Sequence, residues 1–373
     1  MPIVTNNTDP KSIGMVLIAL AIAAVCSLLL TPAVKSLCYK IGAVDVPKDN
    51  RRMHDHPIPR MGGLAIFLGF VLSVLIMVPL DRPKQGMLLG AVIIVILGAL
   101  DDIYNLPAKL KFVVQIVAAL VAVLMGNRIE VLSNPNIFRP NTVWTLGWLA
   151  IPVTVIWIVA ITNAVNLIDG LDGLACGVST ISAVTMLVIA LLVSEEDVAI
   201  IMGALAGACI GFLPYNLNPA KIFMGDTGAT FLGFIMATMS VQGMFKMYSV
   251  ISFVVPFLML GVPIFDVCFA VIRRLSKGQS PMTPDRSHIH HKLIDMGMSQ
   301  KQAVGTLYVI SAILGLTAVV MTTNGALKAG LLLLALVLAG FVAWRVFVTP
   351  HKKDAGKSGG EHKPDGKDGD EHE

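Results

Sequence analysis

The sequence predicts an all-α integral membrane protein, a polytopic bundle of about 11 transmembrane helices (10–11), on three observations. Of its 373 residues, 55% are hydrophobic and only 14% are charged, with a mean hydropathy of +0.77. Apolar stretches long enough to cross a bilayer recur from end to end. Most of them lack the polar face that a surface helix of a soluble domain would carry.

In chain order the expected spans are 13–33, 61–80, 85–100, 111–126, 148–164, 173–193, 198–213, 228–243, 249–272, 303–322 and 326–348. The first has little charge ahead of it and about 20 apolar residues, which suits an uncleaved span better than a signal sequence. Spans 85–100 and 228–243 are the weakest, and one of them can be dropped. Pro107 fits the first turn of the helix that leads into 111–126. Asp226 and Thr227 stand where 228–243 needs an N-cap. Ser299 and Gln302 have capping-box spacing ahead of 303–322. From Pro350 onward the chain is Lys, Asp, Glu, Gly and His with almost nothing apolar, so it cannot bury a core. The organisation is therefore one multi-span domain, 1–349, and a disordered charged cytoplasmic tail, 350–373.

Orientation follows from Lys and Arg, which favour the cytoplasmic side. With the N-terminus outside, about 21 of the 28 fall in inner segments. That placement, made without using the acids, puts Asp101, Asp102, Asp169, Asp172 and Asp226 inside, together with His288, His290 and His291. An active site at the cytoplasmic face is expected. The five cysteines (Cys26, Cys38, Cys176, Cys209, Cys268) form no CxxC pair and read as unpaired thiols.

Polar residues near membrane depth are costly and mark functional sites by default. The first cluster is LDDIYNLPAKLKF, residues 100–112, where Asn105 would share a face with Asp101 or Asp102 if the helix persists. Lys109 and Lys111 follow it and read as snorkelling lysines at the membrane surface. The second is NAVNLIDGLDGLACG, residues 163–177: Asn163, Asn166, Asp169 and Asp172 recur every third residue, which on a helix drifts about 60° per step. Gly170, Gly173 and Gly177 permit tight turns and close approach of a ligand. The third is KIFMGDTGATFLGF, residues 221–234, where a helix N-terminus behind Asp226 would also favour phosphate. The fourth is the loop 273–302 with Arg286, His288, His290 and His291. Its HxHH pattern admits zinc, but histidine and arginine beside hard oxygen ligands suit phosphate better. Loop 48–67 adds Arg51, Arg52, His54, His56 and Arg60, most of which the inner-side charge bias accounts for.

Five carboxylates sharing a site repel one another unless a cation holds them together. Oxygen ligands suit Mg²⁺, with Mn²⁺ an alternative. Metal, basic groups and a membrane setting together indicate phosphoryl-type transfer on an anionic substrate. No G-x-x-x-x-G-K-[ST] loop is present, which excludes that class of nucleoside triphosphatase. The rival class is a cation-coupled transporter, whose sites lie near the midplane within internal repeats. The acids here gather at one face and no repeat is visible. No nucleic-acid partner is expected.

DDIYNLPAKLKF, NAVNLIDGLDGLA, FMGDTGA and HIHH, in this order, resemble the polyprenyl-phosphate N-acetylhexosamine-1-phosphate transferase family. The resemblance implies transfer of a sugar 1-phosphate from a UDP-sugar to undecaprenyl phosphate, with release of UMP and use of Mg²⁺, in a bacterial plasma membrane. The PDRSHIHHKLIDMGMSQKQAV context is similar to the branch that uses UDP-N-acetylglucosamine and initiates teichoic acid linkage units or O-antigen. Lys292, Leu293 and Ile294 after His291 lack the glutamate of the sister branch, whose donor is UDP-N-acetylmuramoyl-pentapeptide. By matching motif, Asp226 would hold the metal, with Asp102 assisting. Asp101 and Asp102 would orient or deprotonate the lipid phosphate. Asn105, Asn163, Asn166, Asp169 and Asp172 would position the UDP-sugar, and Phe223 would stack on uracil. Arg286, His288, His290 and His291 would bind phosphate oxygens. The resemblance leaves room for a homodimer.

Overall fold

A computed structural model describes residues 10–46, 57–133, 143–243, 250–276 and 288–323, with isolated positions at 278 and between 328 and 337. The chain is an all-α multi-pass membrane protein. Its helices are α1 (Pro10–Ile41), α2 (Gly63–Met77), α3 (Arg82–Tyr104), α4 (Ala108–Leu124), α5 (Ala150–Leu167), α6 (Leu174–Leu192), α7 (Glu196–Asn216), α8 (Gly225–Gly243), α9 (Val250–Met259), α10 (Gly261–Ser276), α11 (Ile289–Asp295) and α12 (Gln300–Thr322). Two short antiparallel ribbons join them: β1 (Val44–Asp45) with β2 (Ile58–Pro59), and β3 (Val131–Ser133) with β4 (Val143–Thr145). Among the described residues six helices are long and apolar enough to cross a membrane, and α2 is a shorter apolar one. A helix lies within each expected span from 13–33 to 303–322, though α2 fills only part of 61–80; span 326–348 and the tail lie almost wholly outside the described residues.

Span 249–272 is two helices meeting at Leu260. Pro263 has no N–H to return to the Met259 carbonyl, and the Ser182 hydroxyl on α6 donates to that carbonyl instead, at 2.7 Å. The freed acceptor is satisfied from a neighbour, so the break costs little backbone hydrogen bonding.

Helix α8 is the centre of the bundle. Every residue from Thr227 to Gly243 is buried, and α2, α3, α5, α6 and α7 pack around it. Close approach is built from glycine: a Cβ on Gly63 would lie 2.1 Å from the Gly228 backbone, and one on Gly98 would lie 2.5 Å from Thr227 Cα. Protein surrounds α8, so it can carry Thr230, Thr238, Ser240 and Gln242, several of which bond to neighbouring groups. That is why its segment gives a weak membrane-span signal. At the outer rim of the bundle α1 faces away with Leu17, Ile18, Val25 and Leu29 exposed, the surface that lipid would cover.

The end of α3 away from its aspartates is pinned by charge. Lys84 is buried and pairs with Asp81 at 2.9 Å and with Asp197 of α7 at 2.5 Å. With its first turn held there, the helix rise of ~1.5 Å per residue carries Asp101 and Asp102 to the opposite end of the bundle, about 25 Å away.

Candidate active site

Helix α3 stops at Tyr104 because Asn105 takes a left-handed conformation, φ 50°, which asparagine tolerates. The helix therefore does not persist through Asn105, and that residue lines the cavity described below from a helix terminus. The Asp101 carboxylate turns toward α4. Its Oδ1 accepts from the Leu106 N–H at 2.7 Å, and its Oδ2 lies 2.9 Å from Lys111 Nζ. Lys111 also reaches Asp226 Oδ2 at 2.9 Å. It is thus a clamp between two acids rather than a snorkelling surface lysine.

Asp102 turns the other way, into α8. Its Oδ1 accepts from the Asp226 N–H at 3.0 Å; its Oδ2 accepts from the Thr227 N–H at 3.0 Å and the Thr227 hydroxyl at 2.6 Å. The orphan donors of a helix N-terminus need such acceptors. The cap expected from Asp226 and Thr227 themselves is supplied by another helix, which leaves the Asp226 side chain free to face the cavity. Gly225 makes this possible: it has φ 72°, and a Cβ there would lie 2.4 Å from Asp102 Oδ2. The Arg60 Nε stands 3.8 Å from Asp102 Oδ1.

Helix α5 ends at Leu167, so Asp169 and Asp172 sit on the loop before α6 and not on the helical stripe their spacing suggested. The loop turns at Gly173, φ 76°, and the Tyr308 hydroxyl of α12 donates to the Gly173 carbonyl at 2.5 Å. Asp172 Oδ2 accepts from Asn218 Nδ2 at 2.9 Å and from the Ala220 N–H at 3.0 Å, tying this loop to the one after α7. Asn218 also donates to Gln300 at 2.8 Å. Asn163 points back into the bundle, donating to Gln115 at 2.6 Å and to the Val159 carbonyl at 2.8 Å, and is not part of the cavity wall. Burial, and then the charges of Asp226, Asp102 and Asp172, push the Asp169 carboxyl up to about 8.

The histidine segment is held from α10. The buried Asp266 meets His288 Nδ1 at 2.8 Å through Oδ2, and its Oδ1 accepts from the Ile289 N–H at 2.8 Å. His288 and His290 have nearly parallel rings 5.8 Å apart, and His291 lies 4.3 Å from His290. His290 sits so close to Gly170 that a Cβ there would be 2.4 Å from its Nε2. Burial, and then the neighbouring His291, lower His290 to about 4, so near pH 7 it is a neutral hydrogen-bonding ring. Arg286 lies outside the described residues, as do Arg51, Arg52, His54 and His56.

These elements enclose a cavity of about 470 Å³, within the range of small-molecule sites. Its wall brings together Asn105, Asn166, Asp169, Asp172, Phe223, Asp226 and His291 from the sequence-predicted set. Asp101 is linked to it through Lys111, while Asp102, His288 and His290 are buried in supporting positions. Phe223 is fixed by backbone bonds on both sides: its N–H donates to Pro59 at 2.8 Å and its carbonyl accepts from Gly62 at 2.9 Å. The sequence reading did not single out Lys111, Asn216, Gln300 or Asp266 for a role at the site. Asn216 is buried beside the wall: its Nδ2 donates to the Ile222 carbonyl at 3.1 Å, and its fully buried Oδ1 has no hydrogen-bond partner. Among the described residues no three His, Cys, Asp or Glu side chains converge as a ready-made metal cage. The carboxylates in the cavity wall, Asp169, Asp172 and Asp226, are hard oxygen donors, the ligand type that Mg²⁺ takes beside substrate phosphates.

Fold and cavity define the class: a multi-pass helical membrane protein with an acid-rich polar site at one end of the bundle. Residues 85–244 match the model of glycosyl transferase family 4. The chain is 44% identical over 314 residues to the probable undecaprenyl-phosphate N-acetylglucosaminyl 1-phosphate transferase of Bacillus subtilis (strain 168), covering 84% of this chain and 86% of that one. It is 36% identical over 314 residues to the decaprenyl-phosphate N-acetylglucosaminephosphotransferase of Mycobacterium tuberculosis (strain CDC 1551 / Oshkosh), covering 77% of each. It is 29% identical over 324 residues to the undecaprenyl-phosphate alpha-N-acetylglucosaminyl 1-phosphate transferase of Escherichia coli O157:H7, covering 84% of this chain and 87% of that one. The chain belongs to the polyprenyl-phosphate N-acetylhexosamine-1-phosphate transferase family, in its undecaprenyl-phosphate N-acetylglucosaminyl 1-phosphate transferase branch.

Proposed function

We propose that the protein transfers N-acetylglucosamine 1-phosphate from UDP-N-acetylglucosamine to undecaprenyl phosphate, releasing UMP. This would be the initiating membrane step of a cell-envelope glycopolymer, of the teichoic acid linkage unit or O-antigen type. One observation carries the reading: Lys111 bridges Asp101 and Asp226 at the edge of a cavity whose wall holds Phe223, Asp169 and His291. Such an edge offers a base, a cation ligand and a positive charge where two phosphates meet. An oxygen of the lipid phosphate attacks the phosphorus that carries the sugar, and the bond from that phosphorus to the bridging oxygen breaks. The bridging oxygen leaves with UMP. Asp101 takes the proton of the lipid phosphate where one is present, and Lys111 offsets negative charge developing between the phosphates. Asn105, Asn166, Asp169, Asp172 and Phe223 hold the nucleotide-sugar; His291, with Arg286, binds phosphate oxygens. Asp226, backed by Asp102, would hold Mg²⁺, which when bound neutralises diphosphate charge. Direct attack is favoured over a phospho-aspartate, because Asp101 and Asp102 already accept strong hydrogen bonds. The test is UMP release from purified protein given undecaprenyl phosphate, Mg²⁺ and a panel of UDP-sugars. Release with UDP-N-acetylmuramoyl-pentapeptide alone would replace the proposed donor.

The mechanism requires the site to face the cytoplasm, where UDP-sugars are made, across about eleven spans. In a background lacking the five cysteines, single cysteines at Asn136 and Gln279 should label oppositely in intact cells. Asn136 should react with an impermeant thiol reagent, and Gln279 only after permeabilisation. Labelling of Gln279 from outside would overturn the orientation.

A further inference from the structure

We infer that Asp266 is a positioning residue for the transfer reaction: it clamps the histidine segment so that His291 enters the cavity and His290 covers the Gly170 loop. The inference rests on the function proposed above. Asp266 lies in the middle of an apolar segment, on the one face of α10 that is buried, alongside Ala270 and Arg274. The opposite face carries the exposed Phe265, Phe269 and Ile272. An acid so placed is costly unless both oxygens are satisfied. Here they are, and both partners belong to the start of the histidine segment: the His288 ring through Nδ1 and the Ile289 backbone N–H, each at 2.8 Å. Two bonds from one rigid group fix both the position and the rotation of α11's first turn. From that anchor the rings run in a row, His288 beside His290 and His290 beside His291, and only the last reaches the cavity wall. Asp266 therefore acts on the nucleotide-sugar side of the site without touching it.

Partners that orient a metal-bound histidine typically cost 10–100-fold when removed, and a loss of about that size is expected for a partner that orients a phosphate-binding one. Asp266→Ala should raise the KM for UDP-N-acetylglucosamine by roughly that factor while leaving the KM for undecaprenyl phosphate near the wild-type value. Asp266→Asn should recover most of the loss, because its amide oxygen still accepts from Ile289 and its amide nitrogen meets the other tautomer of His288. Adding His288→Gln to Asp266→Ala should cost little more, since both changes break one clamp. An Asp266→Ala enzyme with wild-type KM overturns the proposal, as does an Asp266→Asn enzyme no better than Asp266→Ala. Should Asp266→Ala fail to fold, the decision passes to His288. His288→Asn keeps a donor at the Nδ1 position and should outperform His288→Gln, whose amide nitrogen reaches the Nε2 position; the reverse order overturns the clamp. A wild-type protein silent with UDP-N-acetylglucosamine would sink the proposed donor instead. The clamp would then be read from histidine nitrogen NMR, where Asp266→Ala should change the His288 Nδ1 signal, and an unchanged signal would refute it.

Discussion

Asp226→Asn is expected to reduce UMP release by roughly 10³-fold or more while leaving a folded, membrane-inserted protein. The separation of activity from folding follows from which atoms of Asp226 are used for what. Its backbone N–H donates to Asp102 and anchors α8, and the substitution does not touch that bond. Its side chain faces the cavity and meets Lys111. An amide oxygen can still accept from Lys111, but it carries no charge to offer a divalent cation. Titrating Mg²⁺ against rate separates the alternatives: near-wild-type turnover at limiting Mg²⁺ would remove Asp226 from the metal site.

The adjacent pair should respond differently from one another. Asp101→Asn should lower kcat by about 10²- to 10⁴-fold with an almost unchanged KM for the UDP-sugar, the pattern of a group needed only in the transition state. Its amide oxygen can keep the Leu106 bond, while its N–H₂ would face the Lys111 ammonium. Asp102→Asn instead puts a donor against the N–H of Asp226 or of Thr227 and should cost about 1–3 kcal/mol of stability, read as a lower thermal midpoint in detergent. Unchanged kcat with a raised KM for the lipid would demote Asp101 to a binding role.

Much of the site could be read from the sequence because each motif is an interruption of an apolar run. Asp101, Asp169 and Asp226 stand out for the same reason that they are expensive there. What could not be read was which helix each side chain serves. Asp102 looks like part of its own helix terminus, yet its acceptors complete α8, more than a hundred residues on. Lys111 fits the membrane-surface rule for lysine, and only the packing of α4 beside α3 and α8 turns it into a clamp. The every-third-residue pattern of Asn163, Asn166, Asp169 and Asp172 suggested one helical face. The helix ends at Leu167, so the pattern straddles a boundary that periodicity does not mark. Asp266 carried a usable signal, since an acid within an apolar segment is unusual wherever it falls. It lies inside its apolar run, however, whereas the aspartates of the motifs stand at the ends of theirs.

The encirclement of α8 bears on how the protein is made. A segment with three hydroxyl side chains and a glutamine between Thr230 and Gln242 is a poor candidate for independent release into lipid. Its neighbours α2, α3, α5, α6 and α7 all precede it in the chain, so during synthesis from the N-terminus they can form a polar-tolerant slot before α8 emerges. Insertion of α8 is then a late docking event within a partly assembled protein. Glycosylation-tag mapping of nascent chains ending after Gly243 should find α8 integrated in the full sequence, and left out when α3 and α5 are replaced by unrelated apolar helices.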